Sequence, residues 1–193
     1  TVFMESSGIS LKNTDPLCDA HVHCYPSEVI ADPAAFADRQ GEAHWGRLVR
    51  EGPQGWADPE ALLRAMDAAG IETVLLQAWY WENPDTAMRQ NAWHADWIAG
   101  HPGRFRACAS VHPEMRDPLA VLEEAHEWGA CAVGECLPQV QSQEGWEHAV
   151  WESVLKWTTQ HNWPLCLHVT EPVGHRYPGR IETPLMEVVA LFE

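Results

Sequence analysis

Positive charge is scarce in this sequence. Over 193 residues, 12 Lys and Arg stand against 28 Asp and Glu, a formal net charge of −16 with histidine neutral. Nucleic-acid binding is driven by clustered Lys and Arg facing phosphates, and docking on anionic membranes needs the same sign of charge. No nucleic acid and no membrane is therefore expected as a partner. No apolar run approaches the ~18 residues of a membrane-spanning helix, and the first residues lack a basic segment followed by an apolar one. The expectation is a soluble, cytoplasmic protein. None of the six cysteines shows CxxC spacing, and the chain is too long for a disulfide-stapled miniature. Cys18, Cys108, Cys131 and Cys166 fall inside short apolar runs, and Cys24 and Cys136 directly follow runs, which suits small apolar fillers of buried strands. Tyr and Phe are few, three and four, beside 11 tryptophans. Repeats and low-complexity segments are absent. The apolar share of 46% and charged share of 21% are close to the globular averages of roughly 45–50% and 25%, which excludes disorder. Single cores grow to ~250 residues before splitting, so one domain is the natural reading.

From Pro16 onward, short apolar runs alternate with longer helical patterns. Residues 1–16 read as an N-terminal extension and 17–193 as the folded unit. The runs are Leu17 to His23, Ile71 to Ala78, Phe105 to Val111, Ala130 to Gly134 and Pro164 to Val169. Residues 25–57, spotted with Pro, Gly and charge, read as an inserted loop region with one helix at most. Asp58-Pro59-Glu60 opens a helix with a capping Asp, Pro at the first position and an acid in the first turn. Leu62, Leu63 and Met66 form its apolar face, and Gly70 is a left-handed stop. Helical patterns recur over Asp85 to His101, from Asp117 to Gly129, over Glu144 to Gln160 and from Thr183 on. In the third of these, Trp146, Val150, Val154 and Trp157 share a spacing that suits packing onto the sheet. Apolar strands separated by helices describe a parallel sheet covered by helices.

The ionisable residues choose between an open doubly wound sheet and a barrel. His21 and His23, His112, Glu135 and His168 all fall at or near C-terminal strand ends, the rim where a (β/α)8 barrel builds its active site. His21 and His23, at i and i+2 on a strand, point to the same face. Imidazole nitrogens ligate divalent ions such as zinc at ~2.0–2.1 Å, and Glu135 and His168, closing two other strands, can reach the same spot. A buried carboxylate is costly without a cation. The plainer reading of each residue alone is a hydrogen-bonded structural side chain.

Taken together, Asp19-Ala20-His21-Val22-His23, Val133-Gly134-Glu135 and Leu165-Cys166-Leu167-His168 resemble the metal-dependent amidohydrolase superfamily, nearest its amidohydrolase-2 and TatD-type branches. The resemblance implies an α/β fold of the TIM type, a (β/α)8 barrel of which this chain supplies about the first five βα units. It also implies His21, His23, Glu135 and His168 as ligands of one or two divalent metal ions, expected to be Zn2+, with Glu135 able to bridge two. The family pattern continues with a sixth-strand histidine and an eighth-strand aspartate. A complete barrel needs ~250 residues, so further chain carrying the general base is expected beyond Glu193, and no catalytic base is named.

A bound zinc ion lowers the pKa of its water from 15.7 to ~7 and polarises a carbonyl or phosphoryl oxygen. The first expectation is therefore a metal-dependent hydrolase of an amide, ester or lactone bond in a small organic substrate. Within the resemblance, a non-oxidative decarboxylase of an unsaturated or aromatic acid is the alternative. A TatD-type nuclease ranks third, against the −16 charge, and a non-catalytic metal-binding fragment of a larger assembly is the reading from another class. Tyr25, Trp79, Trp81 and His112 leave strand ends and are candidates for the substrate pocket, the aromatics equally suiting loop packing. His175 and Arg180 follow the fifth strand, where Arg180 suits a substrate carboxylate or a surface salt bridge. The expected partner is a small-molecule substrate, with a homo-oligomer left open.

Overall fold

The computed structural model of the protein describes residues 16–52, 55–170, 173–177 and 180–191. Apart from Pro16, the expected N-terminal extension lies outside the described residues. The elements run β1 (Cys18–Val22), α1 (Ser27–Ala31), α2 (Pro33–Gln40), α3 (Ala43–Glu51), α4 (Pro59–Ala69), β2 (Thr73–Leu76), α5 (Pro84–Gly100) and β3 (Phe105–Ala109). There follow α6 (Pro118–Trp128), β4 (Ala132–Cys136), the short α7 (Pro138–Gln141), a 3-10 turn (Gly145–Glu147), α8 (Val150–His161), β5 (Leu165–Leu167) and α9 (Leu185–Leu191).

All strand pairs are parallel, and the order in space is that of the sequence, β1-β2-β3-β4-β5. A doubly wound sheet reverses its order at a switch point. Here each crossover advances in the same direction, as in a (β/α)8 barrel, and the chain forms the first five units of one.

Local chemistry sets the helix ends. Asp58 accepts from the Ala61 amide and Asp117 from the Ala120 amide, each ahead of a Pro in the first turn, and Gly70 and Gly129 close their helices in the left-handed region. The same signals recur in the region expected to be mostly loop. Asp32 caps α2 ahead of Pro33, and Gly41 ends it at φ 75°. Residues 27–51 accordingly hold three short helices, and at α2 the Pro sits at the helix start, where it favours the helix it would break internally. The helix expected over Glu144 to Gln160 is divided instead. Gly145 adopts φ 55° and His148 is extended, so Trp146 belongs to the 3-10 turn while Trp151, Val154 and Trp157 form the buried face of α8.

β3 is buried except at Arg106, and β4 is buried throughout, as apolar strands covered on both faces should be. β1 is different. Four of its five residues are exposed, since it pairs only with β2. Cys18 is therefore exposed, unlike the buried Cys24, Cys108 and Cys136, while Cys131 and Cys166 are half-buried. The main core joins Trp151, Val154 and Trp157 to Leu122, Val133 and an aromatic group of Tyr25, Phe36, Trp45 and Trp81. Among the described residues no helix is long and apolar enough to cross a membrane.

Candidate metal centre

β1 ends by bringing His21 and His23 onto one side of the sheet, where Glu135 of β4 meets them. The Nε2 atoms of the two histidines are 3.4 Å apart. Glu135 Oε2 lies 3.8 Å from His21 Nε2 and 3.5 Å from His23 Nε2. A triangle with those sides has a point about 2.1 Å from every corner, inside the ~2.0–2.2 Å that imidazole nitrogen and carboxylate oxygen keep from a divalent ion. These three residues also form the one group of potential metal ligands among the described residues. The donor set fits a divalent cation.

His168, expected as a fourth ligand, is not one of the three converging residues and pairs with Glu135. Its Nδ1 lies 2.6 Å from Glu135 Oε1, the oxygen turned away from the two histidines, and its N–H donates to that carboxylate. A donor on the far oxygen orients a ligating carboxylate. Burial alone would push Glu135 up, but hydrogen bonds from His168 and His23 outweigh it and hold the carboxyl at about 2. The carboxylate is thus ionised at every physiological pH, although only 8% exposed.

The backbone that presents Glu135 depends on its neighbour. Gly134 has φ 125°, and a Cβ there would collide with the Cys166 carbonyl oxygen of the adjoining strand. The chain beyond β2 pins the same point, with the Ala78 amide donating to the Gly134 carbonyl and the Glu135 amide to the Ala78 carbonyl. Gln77 secures the first strand. Its amide group donates to the Ala20 carbonyl at 3.1 Å and its side-chain oxygen accepts from the Cys108 thiol.

The expected substrate-pocket residues divide. Trp79 stands against the site, its ring 5.3 Å from that of His23, and Tyr25 is buried beside Trp45 and Trp56. Trp81 is fully buried in the aromatic core, its indole donating to Gln90. His112 is also fully buried. Its Nε2 donates to the Glu82 carbonyl and its Nδ1 accepts from the Glu114 amide, which makes it a brace of the loop after β3. Burial lowers its pKa. His175 is exposed, and Arg180 donates to the Gly174 and His175 carbonyls of its own loop. Trp81, His112, His175 and Arg180 are not among the three described residues whose ligand atoms converge.

Tyr80 was not among the expected residues, yet its ring lies 4.9 Å from that of His168 and stacks on Trp79 at 4.3 Å. Burial raises its pKa, with the Glu135 charge adding to the effect. Strand alternation puts 79 and 81 on one side, but β2 ends at Leu76, so the alternation no longer applies. The run Trp79-Tyr80-Trp81 thus places Trp79 beside His23, Tyr80 beside His168 and Trp81 in the core.

No family model matches the chain, and no curated protein matches it. Solved structures do. The 5-carboxyvanillate decarboxylase of Novosphingobium aromaticivorans, solved with manganese and 4-hydroxy-3-methoxy-5-nitrobenzoic acid, is similar at 20% identity and a TM-score of 0.61. The match covers 90% of this chain and 54% of that one. An amidohydrolase II structure gives 18% identity and a TM-score of 0.59 over 91% of this chain and 60% of that one. The dihydroxybenzoic acid decarboxylase of Polaromonas sp. JS666, solved with manganese and the inhibitor 2-nitroresorcinol, gives 24% and 0.50 over 82% and 51%. These likenesses establish the fold. The chain spans about half to three-fifths of the length of the structures it matches.

Proposed function

We propose that this chain carries the metal-binding half of a (β/α)8 enzyme that releases CO2 from an aromatic or unsaturated carboxylic acid without a redox cofactor. The observation that carries the reading is the gathering of His21 Nε2, His23 Nε2 and Glu135 Oε2 around one point, with the rings of Trp79 and Tyr80 against His23 and His168. Two of the similar solved structures bear the names of aromatic-acid decarboxylases. They support placing decarboxylation ahead of the hydrolysis expected first from the sequence.

A divalent cation held there would fix an acidic oxygen of the substrate and stabilise negative charge that develops in the reaction. The remaining roles belong to the protein. Glu135 supplies a permanent negative charge to the site, and His168 keeps its far oxygen occupied. Trp79 and Tyr80 offer flat faces to an unsaturated substrate. Tyr80, kept protonated by burial, presents a donor and not a charge. Two imidazoles and a carboxylate suit zinc and also manganese, so elemental analysis must identify the ion.

Hydrolysis of an amide, ester or lactone is the second reading, favoured by the same ligand motif and by the amidohydrolase II likeness. Nothing at the site favours the nuclease reading, and the −16 charge opposes it. The test takes the purified full chain, measures its metal content, and assays CO2 release from benzoates, hydroxybenzoates and unsaturated acids beside hydrolysis of esters, lactones and amides. CO2 release that disappears together with the metal in the His21→Ala/His23→Ala double variant supports the proposal. Stoichiometric metal with hydrolysis alone would transfer it to the second reading, and a metal-free wild-type protein would end both.

A further inference from the structure

Between the end of β1 and the inserted helices lies a cavity of about 120 Å³. Trp45, Leu48 and Val49 of α3 form one wall, and Tyr25, Trp56 and Trp79 the others. His23, one of the three converging ligands, also lines it. The cavity therefore borders the candidate metal centre through a shared side chain. It has a second notable property in a chain of net charge −16: among the described residues that line it, none is Asp, Glu, Lys or Arg.

We propose that this cavity takes the uncharged, ring-sized apolar end of a carboxylic acid whose carboxylate faces the His21, His23 and Glu135 centre. The inference rests on the proposed function and narrows its substrate class. Size comes first. An apolar cavity of ~150 Å³ in another protein stays dry and accepts benzene, so about 120 Å³ suits one unsubstituted ring or a short branched chain and excludes a fused pair. Polarity comes second. Indole and phenol side chains welcome an apolar ring, whereas a second carboxylate on the far end would lose its hydration with no cation among the described lining residues to replace it. Tyr25 stays neutral, since burial raises its pKa. The wall residues Trp45, Leu48 and Val49 come from the insert, so the insert sets which acids fit.

The test uses the full chain with its metal, and four probes: benzoate, acetate, terephthalate and toluene. Benzoate should bind about tenfold or more tightly than acetate, because its ring leaves water, and terephthalate should bind at least about tenfold more weakly than benzoate. Toluene, with no group for a cation, should change tryptophan emission with the metal present or removed. Val49→Trp, at a half-buried wall position, should bring benzoate to the level of acetate and abolish the toluene response at unchanged metal content. Should that variant fold poorly, Val49→Ala provides the opposite test, a gain for 4-methylbenzoate over benzoate. Equal binding of benzoate and acetate, tolerance of terephthalate, or absence of a toluene response in metal-loaded protein would overturn the proposal. A chain that binds toluene but no metal would sink the functional reading and leave the cavity standing.

Discussion

Glu135 accepts His168 on one oxygen and faces two imidazoles with the other, so its charge is committed on both sides. Removing that charge should remove the cation. Glu135→Gln is expected to weaken metal affinity by at least about 100-fold in chelator competition, more than the 10–100-fold typical of a residue that only orients a ligand. His168→Ala should fall within that 10–100-fold range if the histidine acts through Glu135. A loss equal to that of His21→Ala would make it a ligand in its own right. A second carboxylate has the opposite character. Glu42 is 1% exposed, and its oxygens accept from the Glu82 and Asn83 amides. Burial pushes it up to about 7, the Glu82 charge adds to this, and the backbone N–H groups oppose it. A carboxyl raised in the folded state holds its proton more tightly there. Its contribution is complete below the unfolded value of 4.5 and is lost as pH rises through about 7. Glu42→Gln mimics the protonated form, so its stability advantage over wild type should grow between pH 5 and pH 8 by on the order of 1–3 kcal/mol in urea denaturation. A constant difference across that range would show that Glu42 is ionised throughout.

At the scale of elements, β4 carries the most demanding constraint. Gly134→Ala would place a methyl group against the Cys166 carbonyl at a positive φ. It should cost at least about 2 kcal/mol in denaturant unfolding of metal-free protein, and the surviving folded fraction should bind metal poorly because Glu135 is displaced. Unchanged unfolding would mean that β4 and β5 separate at little cost. Much of this scale is legible in the residues. Asp-Pro openings and glycine stops mark α4 and α6, and the strand-end positions of His21, His23 and Glu135 follow from a parallel sheet of apolar runs. The insert is less legible, because Asp32-Pro33 and Gly41, the same punctuation, stand among Pro, Gly and charged residues that equally suit a loop. Nothing in the run Trp79-Tyr80-Trp81 marks its middle residue, because β2 ends at Leu76 and the directions of the three rings are set by packing. The partnership of His168 with Glu135 depends on which ring nitrogen faces the carboxylate, and only tertiary packing decides that.

For the whole molecule, charge and apolar exposure dominate. Among the described residues the large exposed apolar side chains are Leu17 before β1, Met88 on α5, Val169, Val173 and Tyr177 after β5, and Leu185, Met186 and Val189 on α9. Apolar exposure of this kind favours association, and the protein should bind a hydrophobic dye and self-associate in sedimentation. The net charge of −16 acts over longer distances. At 10 mM salt the Debye length is ~30 Å, so most of the molecule contributes to the field that a cation meets. At 150 mM it is ~8 Å, and only the nearest groups contribute. Raising salt over that range should therefore slow divalent-cation association several-fold, because electrostatic steering is what screening removes. Dissociation should change little, since contact with His21, His23 and Glu135 is made at distances too short to screen. The same screening relieves self-repulsion among the carboxylates, so metal-free protein should become more stable over the interval in which metal uptake slows. Stopped-flow metal binding paired with thermal melting separates the two effects. An association rate indifferent to salt would show that the local donor set, and not the acidic surface around it, governs how the cation arrives.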